Sequence, residues 1–295
     1  MAKLDHELRQ IAYRNRDGSH ATQANRLDML VMFVSQLKDC GYKVRQLGAG
    51  DLKARHINAL LRVWRADGVS DGTIKNRMAA VRWWAEKIGK AEIVKENSVY
   101  GIGNREYVTN TDKSISFDQV DFSKFSKNVT VSLLLQHTFG LRREESMKFQ
   151  PDYALQGQKI DLARFIKIKG SWAKGGRERE IPITNESQRK ALLAAVRFAG
   201  HGSLIPADKT YKTHLATFEA QTHAQGIGRT HGLRHGYAQN RYLELMGVEC
   251  PARGGKNLPD ELKEKDKSVR LQISQELGHN RINITSVYLG SRAKA

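Results

Sequence analysis

The chain has 295 residues, enough for two ordinary domains, and its 49 Lys and Arg against 31 Asp and Glu give a formal charge of +18. That sign favours a polyanionic partner: DNA, RNA or an anionic membrane surface. No apolar run approaches the roughly 20 residues of a membrane span, residues 1–6 lack an apolar signal core, and Cys40 and Cys250 stand too far apart to suggest a disulfide framework or a Cys-based zinc site, so the expectation is a reduced, cytoplasmic protein.

The first hundred residues read as helical. Leu27, Leu30, Val31, Val34 and Leu37 recur at three- and four-residue steps, which builds one apolar helix face, and Gly41 suits its stop. Only residues 1–19 precede this first strong helix. A second helix is expected over residues 56–66, with Leu60, Leu61 and Trp64 inward. Ser70 suits the N-cap of a third, which carries Ile74, Met78, Val81 and Trp84 on one side. Lys75, Arg77 and Arg82 lie on its other positions. They read equally as a solvated basic face or as a helix laid against phosphates.

Residues 100–116 lack apolar periodicity and hold Gly101 and Gly103, the pattern of a linker. With no third glycine and no βα pattern around it, this stretch is not a nucleotide loop. The linker proper is placed at 105–116, between a helical domain at 1–104 and a second domain at 117–295. That second domain reads as mixed α/β and mostly helical. Residues 129–139 form an apolar helix. Residues 165–168 make a strand that leads to a turn at Gly175-Gly176, and Ile181-Pro182-Ile183 closes a β-hairpin. Further helices are expected over 214–223, 231–246, 269–277 and 284–289.

Four segments carry chemistry. Gly140-Leu141-Arg142 places an arginine at a helix boundary, where its fork can bind a phosphate. Trp172-Ala173-Lys174-Gly175-Gly176 puts a lysine at a hairpin tip, where a desolvated amine can act as a general acid. In His231-Gly232-Leu233-Arg234-His235, a helix brings His231 and Arg234 to one face. His231 and His235 also have a zinc-compatible spacing, but no Glu stands between them as a metalloprotease would need. Last, Leu277-Gly278-His279 stands nine residues before Tyr288. Each segment alone reads as ordinary packing or surface. Jointly they form a cationic set with one nucleophile and no acidic cluster for Mg²⁺, which is what metal-free attack on a phosphodiester needs.

These motifs, in this order, resemble those of the tyrosine recombinases, the phage-type integrases. The resemblance covers the whole chain in layout and is specific from Phe139 to Tyr288. It implies a mainly α fold with a small β-hairpin, in which an N-terminal core-binding domain and a catalytic domain close on double-stranded DNA as a C-shaped clamp. It implies that Tyr288 attacks the scissile phosphate to form a 3′-phosphotyrosine. Arg142, Arg234 and His279 would bind the phosphate oxygens, Lys174 would protonate the leaving 5′-oxygen, His231 would handle the tyrosine proton, and Glu145 would orient Arg142. No cofactor, metal or ATP is implied. Four protomers on paired sites are, with DNA-bending accessory proteins as further partners and a C-terminal tail that docks on a neighbour. The resemblance also raises Lys75, Arg77 and Arg82 as DNA contacts.

The activity expected is site-specific integration or excision of a mobile element. Chromosome-dimer resolution is the alternative within the family, and a type IB topoisomerase shares the phosphotyrosine chemistry. A DNA-binding relative that no longer cuts would be expected to have lost part of the set. A metal-dependent relaxase would serve its tyrosine with a histidine cluster and a metal. The sequence departs from the family in two respects: Arg234 and His279 lie 45 residues apart, and the extra length is expected as a loop over 247–267. Ser146 also stands where an apolar residue is common. Lys167 and Lys169 compete with Lys174 for the hairpin role. With little room before the first strong helix, no additional arm-binding domain is expected.

Overall fold

The computed structural model describes residues 1–117, 120–279 and 281–292, and the chain divides into two compact units, Met1–Glu106 and Tyr107–Ala295. The first unit holds four helices: α1 (Lys3–Arg14), α2 (His20–Asp39), α3 (Ala54–Ala66) and α4 (Asp71–Lys87). Helix α1 occupies the stretch expected to precede the first strong helix. Leu4 and Leu8 on it are buried and Ile11 and Ala12 pack beside them, a helical i, i+4, i+7, i+8 spacing that the sequence reading missed. Ser19 caps α2 by accepting from the Thr22 amide at 3.2 Å. The buried face of α2 is Leu30, Phe33, Val34 and Leu37, while Leu27 and Val31 are only half-buried at its edge.

Ile57, Leu60, Leu61 and Trp64 of α3 meet Ile74, Met78, Val81 and Trp84 of α4 in one core. Each side chain of this kind stabilises the fold by about 1.5–3 kcal/mol when removed from water. The indole N–H groups are satisfied as well: Trp64 donates to Gln36 Oε1 at 2.9 Å and Trp84 to the Ala49 carbonyl at 3.0 Å.

The second unit begins with residues expected to be linker. Ile115 packs against the core that joins Val129, Leu133, Phe218 and Leu233, so this stretch is integrated with the second unit. The elements are then α5 (Lys127–Phe139), α6 (Arg143–Met147), α7 (Pro151–Leu155), β1 (Phe165–Ile168), β2 (Arg179–Pro182), α8 (Glu186–Ala199), α9 (Tyr211–Ala224), α10 (His231–Met246), α11 (Asp260–Glu276) and α12 (Ile282–Leu289). Strands β1 and β2 pair antiparallel, with Phe165 opposite Pro182 and Ile168 opposite Arg179. Helix α8 has no counterpart in the periodicity reading. Its start is nonetheless written as a capping box: the Gln188 amide donates to Asn185 Oδ1 at 3.0 Å and the Asn185 amide donates back to Gln188 Oε1 at 3.3 Å.

The expected loop over 247–267 is corrected. A short 3-10 turn covers Pro251–Arg253, but Asp260 onward is already helix α11. The first turns of α11 carry exposed ion pairs and a single apolar anchor, Leu262, against the main core. Lys263 pairs with Asp260 at 2.5 Å and Lys267 with Glu264 at 2.6 Å, and Asp260 and Glu261 complement the helix N-terminus. A helix so exposed leaves no hydrophobic period to read. Among the described residues, no helix is long and apolar enough to cross a membrane.

Candidate active site

The junction of α5 and α6 turns on Gly140. Its φ of 61° is left-handed, and a Cβ there would lie 2.5 Å from Tyr237 Cδ1. Only glycine satisfies both demands, and the turn delivers Arg142 as the residue that precedes α6. The Arg142 amide donates to Glu145 Oε2 at 2.8 Å, and its Nη1 donates to Glu145 Oε1 at 2.6 Å. One carboxylate thus caps α6 and grips the arginine that starts it.

Helix α10 carries His231, Arg234 and His235. Arg234 is fully buried; its Nη1 donates to the Gly140 carbonyl and its Nη2 to the Leu277 carbonyl. Its Nε donates to the Tyr288 hydroxyl oxygen at 3.3 Å. Burial, opposed by Tyr288 and reinforced by Arg142, brings the Arg234 pKa down to about 10, so the group stays cationic at neutral pH. Helix α12 supplies Tyr288, buried but for its edge, and Gln239 donates to the Tyr288 carbonyl at 3.3 Å.

His279 follows the C-terminal end of α11. Its Nε2 lies 3.4 Å from Arg142 Nη2 and 3.5 Å from Arg234 Nη2. Guanidinium groups only donate, so this nitrogen accepts and the ring is neutral with its proton on Nδ1. Burial first, then Arg234 and Arg142, holds the His279 pKa at about 4. The same causes in the same order lower His231 to about 4, although that residue is exposed to solvent, so Arg234 and Arg142 are the causes that geometry supports. The ring of Tyr288 is ringed by imidazoles, with centroids 5.8 Å from His231, 4.8 Å from His235 and 6.3 Å from His279.

Arg142, Glu145, His231, Arg234, His279 and Tyr288 therefore converge. Lys174 sits exposed in the turn between β1 and β2, and no hydrogen bond or ion pair among the described residues ties it to the cluster. Lys75, Arg77 and Arg82 lie on α4 in the other unit, each half-buried against its own unit. Lys75 donates to Asn104 Oδ1 at 3.0 Å, Arg77 stacks 5.5 Å from the Trp64 ring, and Arg82 donates to Asn97 Oδ1 at 2.7 Å. His235 was weighed in the sequence only as a zinc-spaced partner of His231, and it proves to pack on Tyr288. No group of three or more His, Cys, Asp or Glu side chains that could hold a metal ion occurs among the described residues.

Arg179 went unnoticed in the sequence. Its Nη2 donates to Glu145 Oε2 at 2.7 Å and its Nη1 to Glu145 Oε1 at 3.1 Å. The signal was there in strand alternation: Arg179 and Ile181 are two apart and share the buried face of β2. An open cavity of about 750 Å³ borders the cluster, lined by Arg142 and His231 together with Arg143 and Arg229. Its basic rim and the guanidinium pair suit a phosphate anion.

Comparison with known proteins adds an independent line. Residues 1–94 match the family model described as phage integrase, N-terminal, and residues 103–240 match the integrase model. The second match ends before His279 and Tyr288. No curated protein sequence matches the chain. Among solved structures, the fold is similar to a lambda integrase dimer bound to a COC′ core site, at a TM-score of 0.60 and 13% identity, covering 99% of this chain and 78% of that one. It is also similar to the Tn1549 transposon integrase in complex with circular intermediate DNA, at a TM-score of 0.59 and 13% identity over 100% and 98% of the two chains. A third is the XerH site-specific recombinase bound to a palindromic difH substrate, at a TM-score of 0.58 and 15% identity over 97% and 81%.

Proposed function

The chain belongs to the tyrosine recombinase family, the phage-type integrases, and is a site-specific recombinase; from that membership we propose how its clustered side chains divide the chemistry. The Tyr288 hydroxyl attacks the scissile phosphate of double-stranded DNA, the phosphorus–O5′ bond breaks, and a 3′-phosphotyrosine forms. His231, neutral in the free protein, takes the tyrosine proton. Arg142, Arg234 and His279 bind the non-bridging oxygens, where charge develops in the transition state. Glu145 orients Arg142.

Lys174 protonates the departing 5′-oxygen. Its rivals are engaged elsewhere, Lys167 with Glu178 Oε2 at 3.5 Å and Lys169 over the Tyr153 ring at 5.2 Å, which favours Lys174 for the role. The 5′-hydroxyl of a second strand then reverses the reaction. The phosphotyrosine keeps the bond energy, so neither ATP nor a metal ion enters. Lys75, Arg77 and Arg82 contact phosphates as the N-terminal domain, residues 1–104, and the catalytic domain, residues 117–295, close on DNA. Four copies act on paired sites, assisted by DNA-bending proteins, in moving a mobile element.

One observation carries the reading. The Tyr288 oxygen lies 3.3 Å from Arg234 Nε, while Arg142 and Arg234 both face His279, so nucleophile and anion-binding groups share one point. The test begins with nicked duplexes of randomised flanking sequence, incubated with the protein in EDTA. An adduct that survives boiling in detergent is isolated and its DNA sequenced. The wild-type chain should form it and Tyr288→Phe should not. An adduct that persists in Tyr288→Phe, or that vanishes in EDTA, sinks the proposal. With the selected site on supercoiled DNA, exchange between two sites is expected, and relaxation without exchange would mark a topoisomerase instead.

A further inference from the structure

We infer that Arg179 is a positioning residue that aims Arg142 at the scissile phosphate through Glu145, an inference that rests on the reading just given. The carboxylate of Glu145 is wholly buried and makes four contacts, two to each arginine. Oε1 accepts from Arg142 Nη1 at 2.6 Å and from Arg179 Nη1 at 3.1 Å. Oε2 accepts from the Arg142 amide at 2.8 Å and from Arg179 Nη2 at 2.7 Å. The carboxylate is sandwiched between the two arginines.

The two arginines differ in what they can reach. The Arg142 side chain is 20% exposed beside the cavity, whereas that of Arg179 is 5% exposed and that of Glu145 is 0%. Arg179 is therefore walled off from substrate. Its Nε is tied down by the Glu276 carbonyl at 2.8 Å, which anchors it to the end of α11. Gly278, next to His279, makes room for it: a Cβ there would stand 3.1 Å from Arg179 Cδ. Strand β2 thus braces the first phosphate-binding arginine from behind, and the brace runs on to the segment that bears His279.

A buried carboxylate shared by two arginines leaves each of them little rotational freedom. Without Arg179, burial would push the Glu145 carboxyl up and Arg142 would lose its fixed partner. A guanidinium displaced by about 1 Å can cost about 100-fold in rate.

The experiment uses the full chain and the selected nicked duplex, once with a natural scissile phosphate and once with an uncharged methylphosphonate at that position. A neutral phosphonate asks less of Arg142. Arg179→Met should slow adduct formation about 100-fold on the phosphate. On the methylphosphonate its gap to the wild type should narrow about tenfold or more, as it should for Arg142→Ala. In a Glu145→Gln background the added cost of Arg179→Met should largely disappear, because the path through the carboxylate is already broken. Should Arg179→Met fail to fold, Arg179→Lys takes its place, since it keeps the charge and loses the fork. Equal defects on both substrates, a wild-type rate, or an undiminished cost in the Glu145→Gln background overturns the inference while the wild-type adduct leaves the underlying reading standing. No adduct from the wild-type chain overturns that reading, and this inference with it.

Discussion

Glu145 and three imidazoles make the site sensitive to acid in two successive windows. Burial alone would raise the Glu145 carboxyl, but Arg179 above all, then Arg234 and Arg142, outweigh it and hold the pKa at about 2. A carboxylate depressed on folding contributes stability above its ordinary value of 4.5, and that contribution is lost as pH falls toward 2. His231, His235 and His279 each fall from 6.5 to about 4, burial being the first cause in every case. Below 6.5 the unfolded chain binds these protons and the folded one does not, so stability falls as pH drops from about 6.5 to about 4. Melting temperature measured across that range should decline, and His235→Gln should shrink the decline. A flat profile between about pH 6.5 and 4.5 would count against neutral histidines in this cluster. A DNA phosphate in the site works the other way, because an anion beside His231 and His279 raises both.

At the scale of elements, the site depends on where helices stop. Helix α5 ends in the left-handed turn at Gly140, and the Gly140 carbonyl that the turn exposes is the one Arg234 binds. Gly140→Ala adds strain at positive φ and drives a methyl group toward Tyr237. It should cost about 2 kcal/mol or more in urea denaturation and lower adduct formation with it. A change below about 0.5 kcal/mol, the range of neutral surface substitutions, would show that the turn relaxes freely. Helix α11 makes the converse point. Its charged first half extends the element well beyond its apolar second half, and the end that matters is the C-terminal one, where the Leu277 carbonyl receives both Arg234 and Arg142.

On the scale of the whole chain, each unit closes its own core. One apolar cluster runs from Leu4 to Ile102 within Met1–Glu106, and two others, one built around Phe139 and Tyr242 and one around Phe125 and Phe218, lie within Tyr107–Ala295. The site cluster from Arg142 to Tyr288 belongs wholly to the second unit. Residues 107–295 expressed alone should therefore unfold in one cooperative calorimetric transition and, with the selected duplex at high concentration, still form the Tyr288 adduct. A fragment without a transition would mean that its core needs the first unit.

Much of the architecture is legible in the sequence alone. Apolar periods of 3.6 located α2, α3 and α4, because those helices bury one face and the burial writes the period. The hairpin followed from Gly175-Gly176 between two apolar runs. Arg142, Lys174, His231, Arg234, His279 and Tyr288 could be named as candidates because their motifs, in type and order, resemble those of the tyrosine recombinases. Helices α1 and α8 were missed although Leu4, Leu8, Ile11 and Ala12 on one and Ala191, Leu192 and Ala195 behind a capping box on the other keep helical spacing, whereas the start of α11 was not legible because exposed ion pairs leave little hydrophobic pattern. Arg179 and His235 were not legible as site members either. An arginine on a strand and a second histidine on a helix acquire meaning only from what they face, and the partners, Glu145 and Tyr288, lie 34 and 53 residues away in sequence. Tyr288 remains the instructive case: order along the chain named it, but the approach of Arg234 to its oxygen depends on α10, α11 and α12 packing together, which no local pattern encodes.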